Sequence, residues 1–470
     1  MPSSERIWRG RQSWIVLVAS AALVAACKPS DRSADAAASA NVPPEGSCPS
    51  GNGGITLPPG FCATVYADSV GHARDIVVAP NGDVFVNTWS GKYYDKQSPP
   101  GAFLIGLRDT KHAGRADSIV RFGQSSTTGG TGGTGIALHG GYVYAEAGSQ
   151  IVRYHVPAGQ LRPDTVAEAI VTNLPLTGDH PMHPFVIDSA SSIYMDVGSA
   201  TNSCQIKNRT LQSPGAKPCI ELNTRAGIWK FDANKPGQRF SAAQRFVTGL
   251  RNAVGIAIEP ASGQIFATQH GRDQLGENWP KLYTLAQSAE LPAEEVVHLT
   301  AGADFGWPEC YFDEDQKKLV LAPEYGGDGG HAVGVCEHKN APVLAFPGHW
   351  APDGLLFYSG SAFPSRYQGG AFIAFHGSWN RSVGPQEGYD VVFVPWSAGQ
   401  PSGPYEVFAN GFAGAIVQPD KAAHRPVGLA VAPDGALYIA DDQGGRIWRV
   451  TYQGAAPQGA ARDTGAAPHS

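Results

Sequence analysis

Polar side chains recur at matched positions ahead of the hairpin turns of this 470-residue chain. Arg251 lies nine residues before the turn residue Pro260, and His180 lies nine residues before Ser189. The same comparison of offsets yields six residues: Arg74, His180, His183, Arg251, Asn252 and Arg425. Equal offsets in a repeated unit place side chains at the same height on one face. We therefore expect these six residues to converge on one site.

Such a ring of side chains suggests a particular chemistry. Several arginines suit a planar or multiply anionic ligand, because a guanidinium pairs with a carboxylate through two parallel hydrogen bonds. Neighbouring cations would lower the pKa of a histidine such as His180, so that its imidazole is neutral near pH 7 and can accept a proton. A base beside a flat anionic acceptor is suited to the removal of a proton and a hydride from one substrate.

The element that must position these groups is a repeated hairpin. Segments 76–86, 256–267 and 429–440 each combine an apolar strand, a turn that contains proline and a second apolar strand. Three weaker copies occupy residues 136–145, 185–195 and 355–374. Six strand-turn-strand units predict an all-β fold, a six-bladed β-propeller.

The N-terminal region has the features of an export signal. Residues 1–26 begin with three arginines and continue as an apolar run that is too short to span a bilayer. The run ends in L-V-A-A-C, which resembles the lipobox of bacterial lipoproteins and implies lipidation of Cys27. By the same resemblance, Lys28 favours the outer membrane, so we expect a periplasmic or cell-surface lipoprotein. A plain secretory signal is the alternative.

Composition and charge define the remaining organisation. Residues 27–47 are predicted to form a flexible tether, 48–453 the folded domain and 454–470 a disordered tail, because the outer segments lack large apolar side chains. The net charge is −6, from 35 basic and 41 acidic residues, and no basic run interleaves with aromatic residues. Nucleic acid is therefore not an expected partner.

The cysteines predict disulfides. Without Cys27 there are six, and an even number in an exported chain favours disulfide bonds over free thiols. Pairing of neighbours along the chain predicts three bonds: Cys48–Cys62, Cys204–Cys219 and Cys310–Cys336. The sequence contains no C-x-x-C motif, which excludes an attached c-type haem and argues against a zinc ribbon.

The chain resembles the L-sorbosone dehydrogenase group of the soluble pyrroloquinoline quinone (PQQ) sugar dehydrogenases in four motifs. These are G-L-R-N-A-V-G (249–255), A-D-F-G-W-P-E-C-Y (303–311), H-G-S-W-N-R-S (376–382) and the segment 424–450. The resemblance extends over about residues 55 to 452. It implies a six-bladed propeller that holds PQQ and Ca²⁺ in its top-face cleft and oxidises an aldose or sugar aldehyde to a lactone or acid, passing electrons to a separate acceptor.

The resemblance also implies residue roles. His180, in an Asp179-His180 pair, would be the base that takes the substrate hydroxyl proton, and Arg251 would polarise the quinone oxygen. The backbone carbonyls of Gly271 and Arg272 would bind Ca²⁺. The predicted cofactor-binding residues are Arg251, Asn252, His270, Phe305, Trp307, Arg381 and Arg425.

One departure from the family pattern concerns the base. Ser199 stands where the glucose dehydrogenases have an acid that steadies the catalytic histidine, so Asp179 or a water is expected to orient His180. Two other functions remain open at this point. One is a Ca²⁺-dependent lactonase-type hydrolase in which His180 activates water, and the other is a non-catalytic propeller that binds carbohydrate or a partner.

Overall fold

A computed structural model describes residues 51–88, 102–125 and 133–454. These ranges belong to one compact unit, Pro43–Ser470. The predicted signal segment, the lipidation site Cys27, the tether and nearly all of the predicted tail lie outside the described residues. Within the described ranges, every helix is too short or too polar to cross a bilayer.

Most of the described strands form six sheets of four or five strands that follow one another along the chain. Strand β1 (Phe61–Ala67) comes first. Blade 1 contains β2 (Ala73–Val78), β3 (Val84–Thr88), β4 (Ala102–Arg108) and β5 (Ser118–Ser125). Blade 2 contains β6 (Ile136–His139), β7 (Tyr142–Ala147), β8 (Gln150–His155) and β9 (Glu168–Thr172). Blade 3 contains β10 (Phe185–Ile187), β11 (Ser192–Val197), β12 (Gly227–Asp232) and β14 (Arg245–Thr248), while β13 (Gln238–Arg239) joins blade 2 beside β9.

The second half repeats this arrangement. Blade 4 contains β15 (Ile256–Ile258), β16 (Ile265–Gln269), β17 (Glu294–Leu299) and β20 (Leu344–Phe346). Blade 5 contains β21 (Pro352–Phe357), β22 (Ala371–Phe375), β23 (Asp390–Val394) and β26 (Glu406–Ala409). Blade 6 contains β27 (Pro426–Val431), β28 (Leu437–Asp441) and β29 (Ile447–Tyr452), with β1 as its outer strand.

Short elements fill the connections. Two small ribbons pair β18 (Cys310–Asp313) with β19 (Lys318–Leu321) and β24 (Trp396–Ser397) with β25 (Gln400–Pro401). The α-helices are α1 (Leu275–Asn278) and α2 (Leu285–Glu290). Single 3₁₀ turns occupy Asn52–Gly54, Ile220–Asn223, Ala242–Gln244, Pro323–Tyr325, Gly334–His338 and Ser365–Tyr367.

The six repeats seen in the sequence are the inner hairpins of the six blades. The three closest copies form the β2–β3, β15–β16 and β27–β28 hairpins, and the weaker copies form the corresponding hairpins of blades 2, 3 and 5. The turns of the closest copies contain Gly82, Gly263 and Gly435 at φ of 87°, 72° and 82°. Glycine adopts this left-handed conformation without the steric cost of a Cβ atom.

The blades close into a ring. The first strands of neighbouring blades contact one another in the order β2, β6, β10, β15, β21, β27 and back to β2. Strand β1 pairs antiparallel with β29, with Phe61 opposite Tyr452, so the beginning and end of the domain complete the same blade. The predicted six-bladed, all-β propeller is therefore confirmed.

The core is divided among the blade interfaces. A separate cluster of buried apolar residues lies between each pair of neighbouring blades. The interface of blades 5 and 6 is the most aromatic, with Phe61 in edge contact with Phe363, Tyr367 and Phe408. A domain of this size is stable with such divided cores, because each blade buries both faces against its neighbours.

Two predicted disulfides are present, Cys204–Cys219 and Cys310–Cys336, with Cα–Cα distances of 6.1 and 5.8 Å. Cys62 is also disulfide-bonded. Its predicted partner, Cys48, lies outside the described residues.

Candidate functional site

A cleft with a volume of about 470 Å³ opens at one end of the ring of inner strands. Most of its walls come from residues just before or at the start of a blade's first strand, or from residues after the second strand, while Glu294 begins the third strand β17. The first two groups share one end of the inner hairpins, opposite the turn. The lining residues are Arg74, Asp179, His180, Met182, Arg209, Arg251, Asn252, His270, Gly271, Asp273, Glu294, His349, Ala351, Asp353, His376, Trp379, Asn380 and Arg425.

Five of the six residues selected by their offsets line this cleft; His183 is the exception. The side chain of His183 is fully buried, and its Nδ1 lies 2.9 Å from Oε1 of Glu146 on β7. Its neighbour Met182 faces the cleft instead. Because adjacent side chains of an extended segment point in opposite directions, the pair cannot both face the cleft. The prediction for His183 is therefore wrong.

His180 has the protonation expected of a base. Its Nδ1 lies 2.9 Å from the backbone oxygen of Ser199 and 3.0 Å from the Ser199 hydroxyl. A backbone carbonyl can only accept, so Nδ1 carries the proton and Nε2 keeps its lone pair. Burial and the charge of Arg251 hold the pKa of His180 well below its usual value. The cation effect predicted from the sequence is present, but burial is the larger cause.

Asp179 makes a different contact from the one expected. Its Oδ2 accepts hydrogen bonds from Nε of Arg209, at 3.1 Å, and from Nδ2 of Asn208, at 3.3 Å. Ser199 supplies the contacts that orient His180. The serine that departs from the family pattern thus contributes both its side chain and its main chain to the base.

Arg251 is held rigidly beside the base. Its Nε donates to the backbone oxygen of Asn202, and its Nη2 donates to the Asn202 side-chain oxygen, both at 3.0 Å. The same Nη2 lies 2.8 Å from Oδ2 of Asp273. The backbone N–H of Arg251 donates to Oε1 of Gln269 at 2.9 Å. With this many fixed contacts, the guanidinium can present its charge to the cleft without reorganisation.

Asn202 is an anchor that sequence reasoning missed. It is fully buried, and its Nδ2 donates to the backbone oxygen of Asp273 at 2.9 Å. Its Oδ1 accepts from the Asp273 N–H at 2.9 Å, and its backbone oxygen accepts from Nε1 of Trp307 at 3.1 Å. No repeat offset identifies it, because it lies in an insertion between β11 and β12.

The opposite wall of the cleft is a network of alternating charges. Nη1 of Arg74 lies 3.1 Å from Asp353 Oδ2 and 2.6 Å from Asp442 Oδ2. His270 Nε2 lies 3.0 Å from Asp353 Oδ1, and His376 Nε2 lies 2.8 Å from Asp442 Oδ1. Burial opposes the charged form of His270, but the hydrogen bond and charge of Asp353 raise its pKa overall. Buried charges are stable here because each has a partner.

Arg425 carries a charge that no carboxylate of the described ranges neutralises by an ion pair. Its Nε donates to the backbone oxygen of His376 at 2.9 Å, and its Nη2 donates to that of Gly377 at 2.6 Å. It lines the cleft, as predicted from its offset. An arginine fixed by neutral carbonyls keeps its affinity for an anionic ligand.

The loop predicted to hold Ca²⁺ follows β16. Gly271 lines the cleft, and its N–H donates to Oε2 of Glu294 at 3.1 Å. Burial raises the pKa of Glu294, so this carboxylate lacks a sufficient cationic partner. The side-chain oxygen Oδ1 of Asn252 is buried without a hydrogen bond among the described residues. Oxygen donors of this kind are what Ca²⁺ prefers. The side chain of Arg272 bonds to Glu324 instead and does not line the cleft.

Side chains alone do not form a metal cage in the cleft. Among the described residues, the only three metal-ligating side chains with ligand atoms within 4.8 Å of one another are Cys204, Cys219 and Glu221, and these two cysteines form a disulfide. A calcium ion in the cleft would therefore need other oxygen ligands besides carboxylates, such as backbone carbonyls.

Three predicted cofactor residues do not line the cleft. Phe305 packs in the core between blades 3 and 4, and Nε1 of Trp307 donates to the backbone oxygen of Asn202. Arg381 bonds to Glu290 and to the backbone oxygen of Pro385, so its hydrogen-bonding groups are used within the loop. The aromatic side chain in the cleft is instead Trp379, which is 54% exposed.

Several lining residues were not predicted. Asp273, Trp379 and Asn380 lie inside motifs that were already singled out, Q-H-G-R-D and H-G-S-W-N-R, so their proximity to predicted residues was the available signal. Arg209, Glu294, His349, Ala351 and Asp353 carried no such signal.

Comparisons with known proteins agree with this architecture. The TrAA12-like family profile matches residues 55–453. A pyrroloquinoline quinone-dependent sugar dehydrogenase of Hypocrea jecorina is 24% identical in an alignment of 339 positions that covers 67% of this chain and 73% of that protein. An uncharacterized protein of Borreliella burgdorferi is 32% identical over 209 residues, 44% of this chain, and the match spans only 48% of that relative.

A solved structure shows the same fold. The calcium structure of the Trichoderma reesei member of Carbohydrate-Active Enzymes Family AA12 superposes with a TM-score of 0.67 at 20% identity, covering 85% of this chain and 97% of that one.

Proposed function

The chain belongs to the TrAA12-like family, and from this membership we propose that it is a PQQ-dependent dehydrogenase that oxidises a sugar or sugar aldehyde. The named activity of the Hypocrea jecorina relative supports the cofactor and the substrate class. The observation that carries the proposal within this chain is the pairing of a neutral, cleft-facing His180 with a rigidly held Arg251.

The cleft suits a flat ligand with several carboxylates. Arg425 keeps an unneutralised charge at one wall, and Arg251 and Arg74 lie at others. Trp379 adds an exposed indole face at the rim, against which a planar ring can stack. We propose that these residues hold PQQ, with Asn252 and His270 beside them.

Calcium is the proposed metal. The carbonyl of Gly271, the carboxylate of Glu294 and the free side-chain oxygen of Asn252 would supply its protein ligands. A divalent cation near Glu294 would relieve the unfavourable burial of that carboxylate. Arg272 can contribute only its backbone carbonyl, because its side chain is occupied by Glu324.

The two reactive residues have distinct roles. Nε2 of His180 accepts the proton of the substrate hydroxyl, and the ring stays oriented by its Nδ1–H bond to Ser199. Arg251, held in place by Asn202, would stabilise the negative charge that develops on the quinone oxygen. PQQ, when bound, would accept the hydride from the substrate carbon that carries this hydroxyl group. A cyclic aldose oxidised in this way yields a lactone, and a hydrated aldehyde yields an acid.

The proposal is tested with His180→Ala. The metal-stripped protein is titrated with PQQ and Ca²⁺ while the quinone absorbance is followed, and turnover is measured with a dye acceptor and a panel of aldoses and aldehydes. We expect His180→Ala to bind PQQ normally and to lose at least about a hundredfold in kcat, as removal of a general base does. His155→Ala is the control, since His155 ends strand β8 of blade 2 with its side chain half exposed.

Three other outcomes would contradict the proposed base, the proposed reaction or the proposed cofactor. A fully active His180→Ala variant contradicts the assigned base. Activity that needs Ca²⁺ but no quinone favours the lactonase-type hydrolase. Sugar binding without turnover or PQQ binding favours the non-catalytic propeller.

Export with a lipid anchor at Cys27 remains a proposal. The two described disulfides support it, because such bonds persist in oxidising compartments outside the cytosol. Labelled fatty acid should be incorporated into the expressed chain and lost in Cys27→Ala. A chain that is exported without incorporating the label would be a plain secretory protein instead.

A further inference from the structure

Arg209 connects the two carboxylates that flank the reactive pair. Its Nε lies 3.1 Å from Oδ2 of Asp179, the residue directly before the proposed base. Its Nη2 lies 2.8 Å from Oδ2 of Asp273, the carboxylate that holds Arg251. Its remaining nitrogen, Nη1, donates to Oε1 of Gln274 at 3.3 Å. All three guanidinium nitrogens are therefore used to join segments that carry the site.

The contact with Asp273 is shared. Nη2 of Arg209 and Nη2 of Arg251 each lie 2.8 Å from the same oxygen, Oδ2 of Asp273. One carboxylate oxygen thus divides its charge between two guanidinium groups. Arg251 is consequently less neutralised than in a one-to-one ion pair, and its positive charge remains available to the cleft.

The chain holds Arg209 in place from several directions. Arg209 lies in an insertion closed by the Cys204–Cys219 disulfide and has a left-handed backbone conformation, with φ of 53°. The preceding residue, Asn208, accepts the Asn202 N–H at 3.0 Å through its side-chain oxygen. The Arg209 side chain is only 27% exposed. The fold of the insertion and the contacts of the guanidinium therefore both restrict the Arg209 side chain.

We propose that Arg209 is a positioning residue for this reaction: it fixes Asp179, which precedes His180, and Asp273, which holds Arg251, so that both reactive side chains keep their places in the cleft. This inference rests on the roles proposed above for His180 and Arg251. It assigns to Arg209 no contact with the substrate, because its nitrogens already bond to protein.

The test compares Arg209→Gln and Arg209→Lys with Lys207→Gln. Gln removes the charge and the bridge, whereas Lys keeps the charge but lacks the planar fork whose Nε and Nη2 bond to the two carboxylates separately. Lys207 is exposed in the same insertion, so its substitution removes one positive charge without touching the two acids. Folding is compared by thermal unfolding of the cofactor-free proteins.

Two readouts separate positioning from stability. The first is the titration of the His180 ring by NMR in cofactor-free protein. The charged groups that face this ring are Arg251, Asp273 and His270, with Asp179 on its own segment. Loss of the Arg209 charge should move the titration to higher pH in Arg209→Gln and leave it nearly unchanged in Arg209→Lys and Lys207→Gln.

The second readout is steady-state turnover. We expect kcat to fall by about ten- to a hundredfold in Arg209→Gln, with a smaller change in KM, because the reactive groups are displaced while the cleft remains. Arg209→Lys should recover part of this loss, and Lys207→Gln should behave as the wild type.

The outcomes distinguish this inference from the proposed function. An unchanged His180 titration and unchanged kcat in a folded Arg209→Gln protein overturn the positioning role, even if His180→Ala is inactive. If Arg209→Gln only lowers the unfolding temperature, Arg209 is merely structural. A shifted His180 titration in a protein that shows no PQQ-dependent turnover leaves the positioning geometry intact and overturns the reaction.

Discussion

The ring Nδ1 of His180 lies 2.9 Å from the backbone carbonyl oxygen of Ser199. A carbonyl has no proton to give, so this contact alone determines the tautomer of the imidazole and leaves Nε2 unprotonated. The Ser199 hydroxyl lies 3.0 Å from the same Nδ1 and donates its own proton to the backbone oxygen of Thr201 at 2.6 Å. The backbone carbonyl of Ser199 therefore orients the imidazole and determines its tautomer, a role that an acidic side chain could also fill.

Replacement of Ser199 by alanine should consequently be mild. The variant loses the hydroxyl contact but keeps the carbonyl that orients His180. One neutral hydrogen bond contributes about 1 kcal/mol, so we expect kcat to fall about fivefold. Steady-state kinetics beside His180→Ala would check this. A loss as large as that of His180→Ala would show that the hydroxyl, and not the carbonyl, controls the base.

The activity should depend on pH through His180. Its pKa is lowered by burial and by Arg251, so Nε2 remains neutral well below the usual histidine value of about 6.5. We expect kcat/KM to stay constant as the pH falls through 6.5 and to decline only at lower pH. A decline centred at or above pH 6.5 in the cofactor-loaded enzyme would contradict the buried, cation-adjacent environment.

The same shift affects stability. The unfolded chain binds a proton at His180 from about pH 6.5 downwards, while the folded protein resists it. The contribution of His180 to the free energy of unfolding is therefore fully present above pH 6.5 and is lost as the pH falls. His180→Gln should flatten this part of the stability profile, measured by urea unfolding from pH 7.5 to 5. An identical slope in both proteins would argue against the lowered pKa.

Gly198 should be needed for the close approach of the base. A Cβ atom at this position would lie 2.5 Å from Cβ of His180 and 3.3 Å from Oδ1 of Asn252. Because the first contact involves an atom next to the backbone, Gly198→Ala must displace His180, at a cost of about 1–3 kcal/mol. We expect at least a tenfold loss of kcat.

Gly403→Ala is the matched control for that substitution. Its new Cβ would make only an ordinary contact, 3.4 Å from Pro395 Cγ. Crystallography or NMR of Gly198→Ala with an unmoved His180 and normal kcat would remove the steric argument.

The Cys204–Cys219 disulfide should affect turnover as well as stability. It closes a segment with a sequence separation of 15 that contains Arg209 and borders Asn202. Cys204→Ser with Cys219→Ser should lower the free energy of unfolding by about 3 kcal/mol. The double variant should also lower kcat, because Arg251 depends on Asn202 for two hydrogen bonds.

The control is Cys310→Ser with Cys336→Ser, which opens a longer segment, with a sequence separation of 26. Both pairs should lower the unfolding midpoint, and only the first should reduce kcat strongly. Equal effects on kcat would mean that turnover follows global stability rather than the position of Asn202.

The sequence by itself was sufficient to predict the propeller and some of the residues that line its cleft. Strand-turn-strand repeats are local patterns, so their number, and the common end to which Arg74, His180, Arg251, Asn252 and Arg425 belong, can be deduced from spacing alone. The neighbour pairing of Cys204–Cys219 and Cys310–Cys336 was predictable for the same reason, because loops of this length bring their ends together readily.

Only the tertiary structure decided which groups complete the site. Asn202 and Arg251 are 49 residues apart, and Asn202 and Asp273 are 71 apart, yet they form one hydrogen-bonded unit. Such contacts depend on how an insertion folds over a neighbouring blade, and no repeat encodes that path. The same reason explains why His183 is directed to Glu146, while Arg209, absent from every motif, joins the two carboxylates beside the reactive pair.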